Sequence, residues 1–88
     1  MHLRIRVTGN VQGVGYRWNA AREARSLGIT GFVKNMPDGS VLIGAEGSRE
    51  HIAIFLEWCR TGPVHSYVTK VDTEVLPPEN TEEFIILH

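Results

Sequence analysis

The chain has 88 residues, 42% hydrophobic and 22% charged, a balance typical of one small globular domain and not of a disordered or fibrous protein. Nine lysines and arginines stand against ten aspartates and glutamates, and this net charge of -1 gives no broad positive field that would attract nucleic acid or an anionic membrane. The single cysteine, Cys59, excludes an intrachain disulfide and a zinc site built from cysteines.

The first half of the chain predicts a strand, a helix and a hairpin. Apolar and polar residues alternate from His2 to Thr8, which is the period of a strand with one buried face. From about residue 17 to residue 27 the apolar residues recur at helical spacing, and Gly28 suits the position just past a helix end. The pair Asp38-Gly39 then lies between two β-rich runs, which indicates a hairpin with a tight turn.

The second half predicts another helix and two further strands. Ser48 is a candidate N-cap, apolar residues follow at helical spacing as far as Cys59, and Gly62-Pro63 ends the helix. Residues 67–75 alternate like a strand, and residues 84–87 form a short apolar run. The predicted order is therefore βαββαβ with a short extra strand at the C-terminus.

This order of elements predicts the fold class. Two helices with one apolar face each can be buried together only on the same side of the sheet. We therefore expect an α+β, ferredoxin-like split βαβ sandwich, with both helices on one face of an antiparallel sheet. We expect residues 1–88 to form a single domain.

The segment GNVQGVGYRWN, residues 9–19, connects the first strand to the first helix and is rich in glycine. Glycines allow successive backbone N–H groups to converge beside a helix N-terminus, where unpaired donors and the helix dipole favour an anion. Arg17 adds a planar fork that matches phosphate or carboxylate oxygens. The loop has the features of a site for a phosphate-sized anion, although a bulged turn with a solvated arginine remains open on this segment alone.

Two well-known phosphate loops do not fit the segment. A Walker A loop requires Gly-Lys-Ser/Thr at its end, and the dinucleotide-binding fingerprint requires a third glycine where this chain has Trp18. The segment is therefore a different kind of anion loop.

The chain contains two long motifs, GNVQGVGYR and, after it, GFVKNMPDGSV. Together they resemble the signature of the acylphosphatase family. The resemblance extends to LGITG between them, to Gly62-Pro63, and to Phe84-x-Ile86 near the C-terminus, so it covers almost the whole chain. Phe32, where the family more often has Trp, and Ala20, where a small hydroxyl residue is common, depart from the pattern.

The resemblance implies an activity and a set of site residues. It implies metal-independent hydrolysis of the carboxyl-phosphate bond of a small acyl phosphate, without a cofactor. Arg17 would be the catalytic, substrate-binding arginine, and Asn35 would position the attacking water. The phosphate would be held by the whole loop, which comprises Gln12, Gly13, Val14, Gly15, Tyr16 and Arg17.

The chemistry of phosphoryl transfer agrees with these roles. Such a reaction needs the phosphoryl oxygens held, their charge stabilised and a water aligned in line with the leaving group. Backbone amides and Arg17 meet the first two needs, and an asparagine amide can orient a water by donating and accepting hydrogen bonds. We also expect inorganic phosphate and sulfate to compete with substrate at this anion site.

Two other functions remain open at this point. One is a module that binds acyl or carbamoyl phosphate without turnover, and the other, disfavoured by the net charge, is a ferredoxin-like RNA-binding domain. The four histidines are dispersed, without metal-ligand spacing, so we expect no metal site. We expect a cytoplasmic monomer that binds neither nucleic acid nor membrane.

Overall fold

Five strands and two helices follow one another in the predicted order in a computed structural model that describes residues 1–88. Neither helix is both long and apolar enough to cross a membrane. The elements are β1 (His2–Asn10), α1 (Tyr16–Ser26), β2 (Thr30–Asn35), β3 (Val41–Glu46), α2 (Arg49–Thr61), β4 (Tyr67–Leu76) and β5 (Phe84–Leu87).

The five strands form one sheet in the order β4-β1-β3-β2-β5. The first four strands of that order pair antiparallel, which confirms the ferredoxin-like arrangement expected from the sequence. The short C-terminal strand β5 pairs parallel to β2, so the complete sheet is mixed and not purely antiparallel. Apolar periodicity alone does not specify which neighbour a short final strand chooses.

The core lies between one face of the sheet and the two helices. Leu3, Ile5 and Val7 of β1 are buried there, as the alternation of β1 predicts. α1 contributes small side chains, Ala20 and Ala24 among them, and both are fully buried, so its backbone lies close to the sheet. The sheet and helix α1 therefore hold the loop between β1 and α1 on a rigid support.

The two helices begin differently. Ser48 caps α2 as predicted, because its hydroxyl accepts the backbone N–H of His51 at 3.1 Å. Helix α1 is preceded by Gly15 in a left-handed conformation, and no side chain caps its first turn. At its other end Gly28 has φ 67°, and Ile29 donates its N–H to the carbonyl of Ala24 at 2.9 Å, a Schellman ending. Of the two helix N-termini, only that of α1 has no side-chain cap.

Strand β4 departs from the simple alternation predicted for it. Tyr67 and Val75 lie on the expected apolar face, yet they are 71% and 70% exposed, whereas Val68 packs against the core. The register shifts opposite Thr8 and Gly9 of β1, where β4 has one extra residue, so that Val68 takes the core face in place of Tyr67. Val75 lies beyond this bulge and is exposed on an edge strand of the sheet. Gly9 permits the bulge, because it has φ 134° and a Cβ there would overlap the Tyr67 carbonyl.

The connection between β4 and β5 is held by the carboxylate of Glu46. It accepts the backbone N–H groups of Glu79, Asn80 and Thr81 at 3.0 to 3.1 Å, and the Thr81 hydroxyl at 3.1 Å. These bonds, with those from Asn80 and Thr81 foremost, lower the pKa of Glu46 from 4.5 to about 2. The clamp fixes the segment that leads into β5.

We predict that Glu46→Gln destabilises the protein at neutral pH, because the amide turns an N–H group toward backbone donors. Since the folded pKa is depressed, the contribution of Glu46 is fully present above pH 4.5 and is lost as the pH falls through about 2. The gap in urea midpoint between wild type and Glu46→Gln should therefore narrow over this range. The exposed Glu82 provides a matched control, Glu82→Gln, and a gap of constant size down to pH 2 would contradict the clamp.

Candidate active site

The loop between β1 and α1 presents unpaired backbone amides. Gly13 and Gly15 adopt positive φ angles of 74° and 79°, which turn the chain sharply before the helix. None of the backbone amides from residue 12 to residue 17 donates a hydrogen bond to another part of the chain. No acidic residue lies in the first turn of α1. The loop and the helix N-terminus together form a concave group of donors that favours an anion.

Arg17 is the second residue of α1 and is anchored by the C-terminal strand. Its Nη1 donates to the backbone carbonyl of Leu87 in β5 at 2.8 Å. Arg17 takes part in none of the ion pairs of the protein. The guanidinium is thus held in place by a neutral acceptor, and its charge is not neutralised by a carboxylate.

Asn35 is the last residue of β2 and carries the one buried side-chain oxygen or nitrogen without a hydrogen-bond partner. That atom is Oδ1 of its amide. Leaving such a group unpaired costs about 1–3 kcal/mol, so its position calls for a functional explanation. Oδ1 has almost no solvent-accessible surface, so it can accept a hydrogen bond from a water or a ligand only when the amide turns toward the cleft that Asn35 lines.

The Gln12 side chain joins the loop to the β2–β3 hairpin. Its Nε2 donates to the carbonyls of Met36 and Ser40, at 2.8 Å in both cases. Met36 follows Asn35 directly, so this bridge connects the loop to the chain segment that carries Asn35. With its side-chain nitrogen engaged, Gln12 has its backbone amide available for an anion.

The hairpin that receives Gln12 is stabilised by Asp38. One carboxylate oxygen accepts both the backbone N–H of Ser40, at 2.9 Å, and its hydroxyl, at 2.6 Å. The other accepts Arg6 at 3.2 Å. The bond from the Ser40 hydroxyl is the largest cause of a lowered pKa at Asp38. Asp38 is therefore a turn residue, as its sequence context predicts.

Tyr16 and Val14 turn their side chains inward. The Tyr16 ring is 1% exposed, and its hydroxyl donates to the carbonyl of Cys59 at 2.8 Å. Burial raises the pKa of Tyr16, and it also raises the pKa of the Cys59 thiol to about 12, so neither group ionises at neutral pH. Val14 packs against the core. Both loop residues can offer an anion their backbone amides.

A cleft of about 210 Å³ brings most of the predicted site residues together. Five of them line it: Gly13, Gly15, Tyr16, Arg17 and Asn35. Gln12 and Val14 do not. Four further residues of the lining were not predicted: Val11, Trp18, Ile86 and His88.

The four missed residues differ in how well the sequence could have found them. Trp18 follows Arg17 directly, so an aromatic residue beside a predicted anion site was a usable signal. Ile86 and His88 reach the cleft only because β5 pairs with β2, and no local pattern indicates that pairing.

Comparison with known proteins identifies the family to which this arrangement belongs. Residues 3–86 match the family model for acylphosphatase. An acylphosphatase from Thermococcus kodakarensis is 42% identical, with 99% of this chain and 96% of the relative covered. One from Thermotoga petrophila is 49% identical, with 96% and 93% covered. The crystal structure of acylphosphatase from Bacillus subtilis superposes with a TM-score of 0.95 at 36% identity, covering 99% of this chain and 98% of the other. The match covers almost the whole chain in sequence and in fold, and the chain belongs to the acylphosphatase family.

Proposed function

We propose that this protein hydrolyses small acyl phosphates to a carboxylate and inorganic phosphate, without a metal ion or cofactor. The observation that carries the proposal is the unpartnered Oδ1 of Asn35, which belongs to a residue lining the same cleft as Arg17. The Asn35 amide is suited to bind a water, and the Arg17 guanidinium is suited to bind a phosphoryl group. Hydrolysis needs both groups in one cleft, whereas binding of a phosphate alone would not require the Asn35 amide.

The phosphoryl group is held by the backbone amides of residues 12–17 and by Arg17. The amides are free to donate, and the helix dipole adds partial positive charge at the same end of α1. Arg17 donates one N–H to Leu87, and its charge remains available to the phosphoryl oxygens. These donors stabilise the charge on the equatorial oxygens in the transition state.

Asn35 orients the attacking water. When the amide turns toward the cleft, its Oδ1 accepts one water hydrogen, so that a lone pair of the water oxygen can face phosphorus. The new P–O bond forms as the bond between phosphorus and the acyl oxygen breaks, and the electron pair of that bond leaves with the carboxylate. The proton lost by the water passes to a phosphoryl oxygen. A good leaving group and an anionic phosphoryl make a separate general base dispensable.

The first test is phosphate release from acetyl phosphate by the wild-type protein. We expect release well above the uncatalysed rate, unchanged by excess EDTA, because Arg17 and the amides supply the positive charge. If the protein only bound acyl phosphates, acetyl phosphate would stabilise it against unfolding and no phosphate would be released. Activity that EDTA abolishes and Mg²⁺ restores would contradict the mechanism, and no release at all would contradict the function.

The second test separates the roles of Arg17 and Asn35. Arg17→Ala should raise KM and the inhibition constant of inorganic phosphate and also lower kcat, because the guanidinium contacts the phosphoryl group throughout. Arg17→Lys should restore little, since an ammonium lacks the planar fork. Asn35→Ala should lower kcat by about 100- to 10,000-fold, or about 2.7 to 5.4 kcal/mol, and leave phosphate inhibition nearly unchanged.

Steady-state kinetics and phosphate inhibition measure both effects, with Arg60→Ala as a control that removes an exposed positive charge from α2. Asn35→Ala should also unfold at no lower urea concentration than wild type, because the lost group has no partner. A folded Asn35→Ala protein with wild-type kcat would remove the water-positioning role. Purely non-competitive inhibition by inorganic phosphate would place the anion site outside the cleft.

A further inference from the structure

Trp18 exposes a large apolar side chain beside the proposed phosphate site. It is the third residue of α1, directly after Arg17, and its indole is 60% exposed. The other tryptophan, Trp58, packs between Phe55 and Tyr16 in the manner usual for this residue. Core packing therefore explains Trp58 and leaves the position of Trp18 unexplained.

The indole of Trp18 is held by a cation on the same helix. The guanidinium carbon of Arg22 lies 5.6 Å from the centre of the Trp18 ring, a cation–π contact between residues one turn apart. Trp18 lines the cleft and Arg22 does not, so the contact holds the ring from outside the cleft. A ring fixed in this way loses little further conformational entropy when a ligand packs on it.

The cleft is polar where the phosphate is expected and apolar beside it. The loop amides and Arg17 supply the polar part, and Trp18 and Ile86 contribute apolar side chains to the same lining. An acyl phosphate has the same division, with a charged phosphoryl group at one end and an acyl group at the other. The only large side chain of the cleft that is both apolar and mostly exposed is Trp18.

We infer that Trp18, supported by Ile86, packs against the acyl group and makes this protein selective for acyl phosphates with an aromatic or bulky apolar acyl group. The inference rests on the proposed function, since it concerns the other end of the same substrate. An aromatic ring gains from stacking on indole and from burial of apolar surface, whereas a methyl or amino group gains little.

The experiment compares kcat/KM for benzoyl phosphate and acetyl phosphate, each divided by its uncatalysed rate of hydrolysis. We expect wild type to favour benzoyl phosphate, and Trp18→Ala to lower that preference by about 5- to 50-fold, mostly through benzoyl phosphate. Trp18→Phe should retain most of the preference. Tyr67→Ala, which removes an exposed aromatic outside the cleft, should leave it unchanged.

A second readout separates binding from chemistry. Phenylphosphonate should inhibit wild type more strongly than methylphosphonate, and Trp18→Ala should reduce this difference by a similar factor. Equal losses for both substrates, or an unchanged inhibitor ratio in Trp18→Ala, would overturn the inference. If wild type hydrolyses both substrates but Trp18 does not affect the ratio, only this inference fails. If wild type hydrolyses neither, the proposed function fails.

Discussion

The two hydrogen bonds donated by the Gln12 side-chain amide hold the parts of the site together. β1 and β2 are not neighbours in the sheet, because β3 lies between them. No backbone hydrogen bonds between β1 and β2 therefore connect the loop after β1 to the end of β2. Gln12 connects them by donating to Met36 and Ser40 at 2.8 Å each. Together with the bond from Arg17 to Leu87 of β5, which pairs with β2, this bridge fixes Arg17 and Asn35 relative to each other.

The site combines unsatisfied groups with neighbours that are fully bonded. The amides of residues 12–17 and Oδ1 of Asn35 lack partners in the protein, and for the buried Oδ1 this lowers the stability of the fold. Tyr16, Asp38 and the Gln12 side chain are tied to carbonyls or to the turn itself. The bonded groups keep the unsatisfied ones in position, so that little reorganisation is needed when a charged substrate binds.

Local patterns predicted most of the fold, and motif resemblance selected Arg17 and Asn35, whose roles remain predictions. Contacts between residues far apart in the sequence could not be predicted. The anchor of Arg17, the Leu87 carbonyl, is 70 residues away in sequence and depends on a parallel pairing that periodicity does not encode. The bulge opposite Gly9 exchanged the faces of Tyr67 and Val68 at the start of β4, because one extra residue changes a period-two pattern. The sequence also could not show that the Gln12 side chain turns toward the hairpin and away from the cleft.

A double-mutant cycle on kcat tests most directly whether Gln12 acts by holding the loop and Asn35 in one site. The four proteins are wild type, Gln12→Ala, Asn35→Ala and the double variant, assayed with acetyl phosphate after circular dichroism has shown that each is folded. We expect Gln12→Ala to lower kcat by about 10-fold or more in the wild-type background and by less than about 3-fold when Asn35 is already alanine, because coupled residues are not additive. An equal loss in both backgrounds would show that Gln12 acts independently of Asn35 and would contradict this account.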